Sequence, residues 1–364
     1  MPKTDTPFLM VLGLLLNPNA IVMPYFIEKL RKINRMVNQP PVYKGSYAFI
    51  GMGSHALANL YPVINYLGID LKYIVTRSTS GARNAQQKYP NTNCITNIQQ
   101  VINDDDITGC FVCTQPSAHF GIIQSLVSSG KHVFVEKPPC FNSIQLNELT
   151  SLSILHNKKI VIGLQKCYAP SIKILKRKLD NVDYYSLKYQ TGPYPEGDPV
   201  AELFIHPISL AVFLFGPAKI LSLQKLKSKN GLIILLHTQH EDNTVGSLEL
   251  ANSLSWREAC ESLSVYTKKG WYDWKNSQTL TFTSTTKSIL NIPVEKVKPF
   301  PYQQEFLYQV NSFNPTLSNN PVYYGGFFDE VRNFIHLNEG HKCHISSFIE
   351  DLKPTYDLLD QINK

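Results

Sequence analysis

The sequence predicts an α/β domain followed by an α+β domain, with a parallel sheet in the first and a mostly antiparallel sheet in the second. Between residues 46 and 165, short apolar runs alternate with helical patterns, which is typical of parallel strands connected by helices. After residue 170, most strand-like runs are joined by short turns, which favours antiparallel pairing. With 364 residues, 43% of them hydrophobic, the chain is long enough for two domains that each enclose a core.

The first predicted domain covers residues 45–166. Each of its apolar runs is bounded by turn residues and is followed by a helical or polar segment, so we expect a doubly wound parallel sheet. The predicted strands lie at 47–50, 71–75, 109–113, 133–135 and 160–163.

The second predicted domain covers residues 167–364. Turns such as Lys229-Asn230-Gly231 separate its strands. Two helices are predicted at the end of the chain, over 327–337 and 346–362, and the first of them has an apolar face. The predicted strands lie at 220–226, 232–237, 245–250, 262–267 and 279–283.

Residues 1–44 are predicted to form a helical extension. The apolar run 7–16 is too short to cross a bilayer, so we expect no membrane span. A secretory leader carries a positive charge before its apolar region, but here the charges of Lys3 and Asp5 cancel each other. A packed helix that continues through 21–36 fits this segment better than a leader.

Charge and cysteine content exclude several classes of protein. The formal charge of +7 is spread thinly over many lysines, so no nucleic acid partner is predicted. Seven cysteines are too few for a disulfide scaffold. Cys110 and Cys113 form a C-x-x-C within a predicted strand, where they face opposite sides, so no metal site is expected. Reduced thiols fit a cytoplasmic protein.

A glycine motif marks the first turn of the parallel domain. The sequence GMGSHA at 51–56 follows a strand and opens a helix, which is the context that a dinucleotide-binding fingerprint requires. Gly51 and Gly53 let the backbone approach a pyrophosphate, whose charge lies at the helix N-terminus, where Ser54 and His55 are further candidate contacts. We therefore expect a Rossmann domain that binds NAD or NADP.

The end of the second strand indicates which dinucleotide is preferred. A carboxylate there would accept the 2′-hydroxyl of the adenosine ribose, but the chain has Thr76, Arg77 and Ser78. Arg77 can pair with a 2′-phosphate, and the two hydroxyl groups can donate to it. This pattern favours NADP over NAD. The alternative is a surface arginine in a protein that uses NAD or both dinucleotides.

An unusual strand end carries the chemistry. The apolar strand at 133–135 runs into Glu136-Lys137-Pro138, and the proline holds Lys137 in extended backbone. An inward-facing lysine is costly to bury without a partner. Its ammonium group suits a reacting carbonyl or alkoxide. The alternative is a solvated lysine at a strand end.

With these pieces, residues 46–364 resemble the Gfo/Idh/MocA oxidoreductases. The most specific shared motif is Glu136-Lys137-Pro138. The Glu202-x-x-x-His206 motif is weaker. The other motifs are Gly51-Met52-Gly53, Cys113-Thr114-Gln115-Pro116-Ser117-Ala118-His119, and Gly163-Leu164-Gln165 leading to Tyr168-Ala169-Pro170.

The resemblance implies roles for individual residues. Lys137 would contact the reacting hydroxyl or carbonyl, His206 would be the proton-transfer histidine, and Glu202 stands where the family usually has an aspartate. Gln165 and Tyr168 would contact substrate, although Tyr168 also fits a core aromatic. The implied cofactor contacts are Gly51, Gly53, Ser54, His55, Thr76, Arg77, Ser78, Thr114, Gln115, Pro116, His119, Glu136 and Lys137.

The chain departs from the family pattern on the substrate side. Cys167 replaces a common arginine, and Ser209 replaces a common aspartate, so the usual polyol contacts are in doubt. Pro207 predicts a helix over 208–215 that starts at the proline, with His206 at its cap. The positive helix end would then lower the pKa of His206 and keep the ring neutral. The alternative is a purely structural histidine cap.

These observations predict hydride transfer between a nicotinamide and a secondary alcohol or ketone of a sugar, cyclitol or sugar derivative. The second domain would bind this small-molecule substrate and pair copies of the chain into a homo-oligomer, a dimer or tetramer, through its sheet. Two alternatives remain: an NADPH-dependent reductase of an imine or conjugated C=C bond, and a non-catalytic dinucleotide sensor. The presence of both Lys137 and His206 argues against a sensor.

Overall fold

The computed structural model describes residues 27–32, 41–285, 288–289, 292–296, 303–314 and 316–364. The chain divides into two units, residues 1–42 and 43–364. In the first unit, residues 27–32 are helical, and the side chains of Ile27 and Leu30 are exposed. The rest of the helix expected over 21–36 lies outside the described residues, as does the apolar run 7–16.

A six-stranded parallel sheet organises the first half of the larger unit, as predicted. Its strands are β1 Ser46–Ile50, β2 Leu71–Val75, β3 Asn93–Ile95, β4 Ile107–Val112, β5 His132–Glu136 and β6 Ile160–Gly163. They lie in the order β3-β2-β1-β4-β5-β6, so the connection reverses direction between β1 and β4. In such sheets, a ligand binds beyond the carboxyl ends of the strands at this reversal. The short edge strand β3 was not predicted.

Helices connect these strands, and their ends follow from local sequence. The side chain of Ser78 accepts a hydrogen bond from the backbone of Gly81, and Asn142 caps its own helix in the same way. Gly68, with φ of 65°, ends the first helix in a left-handed conformation. The helices are α1 Tyr61–Leu67, preceded by a π-helical turn at Ala56–Leu60, then α2 Thr79–Lys88, α3 Gln99–Ile102, α4 Pro116–Ser128 and α5 Ser143–Leu155.

An eight-stranded sheet forms the second half. Its strands are β7 Val182–Gln190, β8 Ala218–Ser228, β9 Gly231–His240, β10 Val245–Ala251, β11 Cys260–Thr267, β12 Gly270–Lys275, β13 Thr279–Ser284 and β16 Gln304–Gln309. Two short strands between β13 and β16, β14 Ser288–Ile289 and β15 Ile292–Pro293, form a separate pair. Their order is β16-β13-β12-β11-β7-β10-β9-β8. All neighbours are antiparallel except β7 and β10, which are parallel. The mostly antiparallel sheet was predicted, but strands β7, β12 and β16 were not.

The remaining helices include one correction. The helix predicted over 346–362 is wrong at its start, because Ser347 lies beside β6 instead. Ile162 donates its N–H to the carbonyl of Ser347, and the Ser347 hydroxyl donates to the carbonyl of Ile162. A 3-10 turn at Ile349–Leu352 follows, and Pro354 then occupies the first turn of the last helix. These helices are α6 Pro170–Lys178, α7 Pro199–Glu202, α8 Ile205–Phe215, α9 Pro321–Tyr324, α10 Phe327–Asn338 and α11 Lys353–Asn363.

Two apolar clusters lie on opposite faces of the parallel sheet. Alternation along β5 sends Val133 and Val135 into a cluster that continues to the second sheet, and Phe134 into the other. The second cluster includes α10, whose Phe334 ring lies 5.1 Å from that of Phe111. The end of the chain therefore covers the parallel sheet.

Cys110 and Cys113 fall in these separate clusters, and all seven cysteines, each in the described part of the chain, are unpaired. Within the same part of the chain, no group of histidine, cysteine or acidic side chains is arranged to hold a metal ion. No helix among the described residues combines the length and apolar character needed to cross a membrane.

Candidate active site

The loop after β1 leaves room for a phosphate group at the carboxyl edge of the parallel sheet. Gly51 has φ of +110°, and a Cβ there would lie 2.0 Å from the carbonyl oxygen of Cys113. A Cβ at Gly53 would meet nothing within 4 Å, and Ser54 and His55 beside it are exposed. Helix N-termini attract anions. This open cradle fits the pyrophosphate of the dinucleotide that the motif predicts.

At the end of β2, the predicted cofactor-selecting residues have different surroundings. The Thr76 hydroxyl is buried and donates to the carbonyl of Ser78, 3.0 Å away. The Ser78 hydroxyl accepts from the N–H of Gly81 and lies 3.0 Å from the Ser80 hydroxyl. Arg77 is exposed. Of the three, Arg77 is therefore the side chain with the clearest freedom to reach a ribose phosphate.

The buried ring of His119 bridges two loops, the one that contains Thr114 and the one that contains Pro138. Its Nδ1 donates to the carbonyl of Pro138 at 2.8 Å, and its Nε2 accepts from the N–H of Thr114 at 3.4 Å. The ring is 1% exposed, and burial is the main cause that lowers its pKa. A neutral ring satisfies both contacts. Gln115 is exposed and Pro116 begins α4, so Thr114 and Gln115 form the surface that faces outward.

Glu136 and Lys137 lie together at the carboxyl end of β5. The Glu136 carboxylate is buried and lies 3.2 Å from Nε2 of His55, which ties it to the glycine loop. Gly163 makes room for this carboxylate, because a Cβ at that position would approach its carboxyl carbon to 3.0 Å. Both residues therefore sit where β5 meets the loop after β1.

Lys137 links the parallel domain to the Glu202 segment. Its Nζ donates to the backbone carbonyl of Glu202 at 2.7 Å. Burial lowers the pKa of Lys137, while Glu136 and Glu202 oppose that effect. The Glu202 carboxylate accepts from the Tyr194 hydroxyl at 2.7 Å and from the backbone of Asp198 at 3.1 Å. Glu202 thus holds the lysine through its main chain, while its side chain anchors the loop before it.

The helix predicted to start at Pro207 begins two residues earlier. Helix α8 starts at Ile205, with Phe204 as its cap, so His206 lies inside the first turn and not at the cap. Proline is tolerated there because the N–H groups of a first turn have no partner within the helix. Glu202 ends the separate short helix α7. Glu202 and His206 therefore do not belong to one continuous helix.

The His206 ring is buried in surroundings that favour its neutral form. The residue is 8% exposed, and its Nδ1 is buried without a hydrogen-bond partner among the described residues. Burial is the main cause that puts its pKa well below the usual 6.5, and Lys137 and Lys166 lower the pKa further. Burial and nearby cations, and not a helix end with His206 at its cap, therefore favour the neutral ring.

The two predicted substrate contacts separate in the structure. Tyr168 is fully buried, and its hydroxyl lies 2.9 Å from that of Ser347 and accepts from the N–H of Ser346. It has the surroundings of a core aromatic. Gln165 is half-buried at the start of the 3-10 turn Gln165–Tyr168. Its carbonyl oxygen would lie 1.9 Å from a Cβ at Gly326, so α10 approaches this turn closely.

Comparison with known families identifies the parallel domain. Residues 46–164 match the model of an oxidoreductase family described as having an NAD-binding Rossmann fold. Over these residues, the chain is similar to the Gfo/Idh/MocA oxidoreductases. The matched range covers β1 to β6 and includes the glycine loop, the turn around His119 and Lys137.

Individual curated relatives are distant in sequence. The putative oxidoreductase YceM of Salmonella typhimurium is 25% identical over 170 residues, which are 45% of this chain and 54% of that protein. The chain thus spans about half the length of the curated relatives it matches.

Two solved structures share the fold over most of the chain. A dehydrogenase from Chromobacterium violaceum has a TM-score of 0.75 at 16% identity, covering 88% of this chain and 95% of that one. The 3-ketoreductase KijD10 from Actinomadura kijaniata, solved with TDP-benzene and NADP, has a TM-score of 0.68 at 13% identity, covering 88% and 97%.

The Gfo/Idh/MocA motifs did not reveal one ion pair of the site. Lys166 contacts Glu261 of β11, and Lys166 is close enough to His206 to lower its pKa. Alternation along β11 turns Glu261 inward with Leu263 and Val265, and all three are buried. A glutamate at an inward position of a strand was the signal available in the sequence.

Proposed function

We propose that this chain is an NAD(P)-dependent oxidoreductase, with NADP as the preferred dinucleotide, that transfers a hydride between the nicotinamide and a secondary alcohol or ketone of a sugar, cyclitol or sugar derivative. One observation carries the proposal. The ammonium of Lys137, at the end of a strand of the family's Rossmann domain, bonds the carbonyl of Glu202, and its charge lowers the pKa of the buried His206. These contacts support a role for Lys137 as a cationic donor and for His206 as a neutral base at the carboxyl edge of the sheet.

The two groups have complementary roles in this proposal. His206, neutral because of its surroundings, accepts the proton of the substrate hydroxyl during oxidation and returns it during reduction. Lys137 donates a hydrogen bond to the same oxygen as it gains alkoxide character. The dinucleotide accepts or supplies the hydride when it is bound. Glu202 is a positioning residue, because its carbonyl fixes the direction of the lysine and its carboxylate is bonded elsewhere.

Separate observations support the choice of cofactor and the kind of substrate. Arg77 is exposed at the end of β2, where no carboxylate competes for the ribose, and this favours NADP. A ketone or secondary-alcohol substrate is supported by the shared fold with KijD10, described as a 3-ketoreductase. Gln165 would complete the substrate side, whereas Tyr168 would support it from the core.

The larger unit would then act as two functional parts. Residues 45–166 bind the dinucleotide, and 167–364 supply His206 and pair copies of the chain through the outer face of the second sheet. On that face, Tyr184 and Tyr266 are partly exposed and stack with ring centroids 5.5 Å apart. Sedimentation of the purified protein tests the pairing.

The test of the function is turnover. Purified protein is incubated with NADP or NAD and D-glucose, D-galactose, myo-inositol or D-glucuronate, and formation of the reduced dinucleotide is followed at 340 nm. We expect turnover with at least one sugar or cyclitol and a higher kcat/KM with NADP. If NADPH binds by fluorescence titration but no alcohol or ketone reacts, the sensor alternative replaces the proposal. Turnover restricted to an imine or a conjugated C=C bond replaces it with the reductase alternative.

A further inference from the structure

A second lysine lies at the substrate side of the site. Lys166 belongs to the 3-10 turn after β6, and its Nζ forms a direct ion pair with Oε2 of Glu261 on β11. The rings of Tyr189 and Trp274 lie 5.7 and 5.9 Å from the same Nζ. The Lys166 side chain is 18% exposed, whereas that of Glu261 is 4% exposed. The Lys166 side chain is therefore partly accessible to solvent, whereas the Glu261 side chain that pairs with it is buried.

This ion pair is costly for the fold. Burial raises the pKa of Glu261, and only the charge and hydrogen bond of Lys166 oppose that effect. The second carboxylate oxygen of Glu261, Oε1, has no hydrogen-bond partner among the described residues. Buried ion pairs seldom stabilise a protein more than apolar residues of the same size. A buried, incompletely bonded pair beside a candidate base therefore points to a functional role.

Lys137 and Lys166 follow neighbouring strands of the parallel sheet. Lys137 follows β5 and Lys166 lies in the turn after β6, and these two strands pair with Glu136 opposite Gly163. Both lysines also lower the pKa of His206. An ammonium group has three N–H donors. Glu261 does not use all three, so Lys166 retains donors for a ligand that enters beside His206.

The charge balance of the cluster indicates what this ligand group is. Two ammonium groups, on Lys137 and Lys166, are outnumbered by buried carboxyl groups, which are those of Glu136, Glu202, Glu261 and Glu330. An anionic substrate group would therefore enter a site with no surplus of positive charge. A hydroxyl group accepts a hydrogen bond from an ammonium without adding charge.

We propose that Lys166, held in place by Glu261, is a specificity-determining residue that donates a hydrogen bond to a hydroxyl oxygen on the carbon next to the reacting one, so that the substrate is an uncharged vicinal diol or α-hydroxy ketone. The proposal rests on the proposed function and adds the substrate class. In this proposal, Lys137 donates a hydrogen bond to the reacting oxygen, Lys166 donates one to the neighbouring oxygen, and Glu261 is the positioning residue for Lys166.

The experiment compares Lys166→Met, Glu261→Gln and the double variant with Lys173→Met. Lys173 is the matched control, because its Nζ pairs with the mostly buried Asp329 at 2.7 Å. The double variant keeps the test valid if an unpaired buried Glu261 prevents folding of the single variant. Substrates are D-glucose, D-galactose, myo-inositol and D-glucuronate with NADP, and the monodeoxy analogues of the best of them.

We expect Lys166→Met and the double variant to lower kcat/KM on the best uncharged substrate by about 10- to 100-fold, mainly through KM, because a hydrogen bond to a charged group is lost. Glu261→Gln should have a smaller effect in the same direction. On the deoxy analogue that lacks the neighbouring hydroxyl, wild type and Lys166→Met should agree within about threefold, since the contact is already absent. The Kd for NADPH should not change, and Lys173→Met should behave as wild type.

Several results would overturn the inference. Turnover by Lys166→Met and by the double variant within about threefold of wild type refutes it and leaves the proposed function standing. An equal loss on the parent and on every deoxy analogue shows a structural role instead. D-Glucuronate as the best substrate, with the largest loss in Lys166→Met, shows that the lysine reads a carboxylate. If no alcohol turns over with either dinucleotide, the proposed function fails, and this inference fails with it.

Discussion

Replacing Lys137 with methionine removes one charge and retains most of the side-chain volume. The variant loses the hydrogen bond from Nζ to the carbonyl of Glu202 and the positive charge that lowers the pKa of His206. It keeps the apolar stem, which packs at the end of β5. Because Glu202 also bonds Tyr194 and Asp198 through its carboxylate, the loop should keep its position.

The size of the effect follows from the role of the ammonium. Removing one donor that is aimed at a developing oxyanion costs about 2.7–4 kcal/mol, or roughly 10²–10³ in kcat. A second effect acts on His206. Since burial remains the main cause of its lowered pKa, that pKa should rise without the lysine but stay below 6.5. Oxidation requires the neutral ring, so its rate should begin to fall at a higher pH than in wild type.

The assay is kcat/KM for sugar oxidation as a function of pH, with Lys131→Met as the matched control. Lys131 precedes the same strand, is 2% exposed, and donates its Nζ to the carbonyl of Asp104 at 2.6 Å. It lies at the opposite end of β5, roughly 17–20 Å away at the usual rise per residue. Both variants lose a lysine bonded to a backbone carbonyl, but only one of them loses a group of the site.

The reasoning is refuted if Lys137→Met turns over within about threefold of wild type, which is a barrier change well under 1.4 kcal/mol. It is also refuted if Lys131→Met loses as much activity, because the effect would then be structural. An unchanged acidic limb of the pH profile, together with a large loss of kcat, removes the link between Lys137 and His206 and leaves only the oxyanion contact.

Three further outcomes are expected. Gly51→Ala should lower the free energy of unfolding by at least about 1–3 kcal/mol, because φ of +110° and the carbonyl of Cys113 both exclude a Cβ. Gly53→Ala should keep the melting temperature of the wild type but weaken NADPH binding in a fluorescence titration. Arg77→Ala should raise the Kd for NADPH at least tenfold and that for NADH less than threefold; equal changes would remove its selecting role. Burial raises the pKa of Glu330 well above 4.5, so the free energy of unfolding should fall as pH rises above 4.5, by up to about 1.4 kcal/mol per pH unit. Glu330→Gln should flatten the dependence of the urea midpoint on pH between pH 5 and pH 8, and an unchanged slope contradicts this.

Patterns within one element could be read from the sequence. The strand that ends at Lys137 was predictable, because an apolar run stops at a lysine followed by two prolines. The glycine loop was predictable for the same reason, since the motif and its flanking elements are contiguous. Strand β7 was missed although its buried Tyr185 and Leu187 alternate with more exposed residues, a pattern that indicates a half-buried strand.

The start of α8 shows how a local rule yields to packing. The residue before a proline resists helical angles, yet His206 is helical. Its neighbours Ile205 and Ile208 are fully buried, so packing of the apolar helix outweighs the local preference. Tyr168 shows the same dependence on tertiary structure, because its hydroxyl partner Ser347 lies far away in the chain.

The sequence alone determined the parallel and antiparallel sheets, the dinucleotide loop and the lysine at the end of β5, because each is specified by neighbouring residues and by the period of apolar side chains. Only the tertiary structure decided that Lys137 bonds the carbonyl of Glu202, that His206 is neutral through burial, and that Lys166 pairs with Glu261. Those contacts join residues 65 to 95 positions apart, and burial and charge at such distances depend on how the two sheets pack.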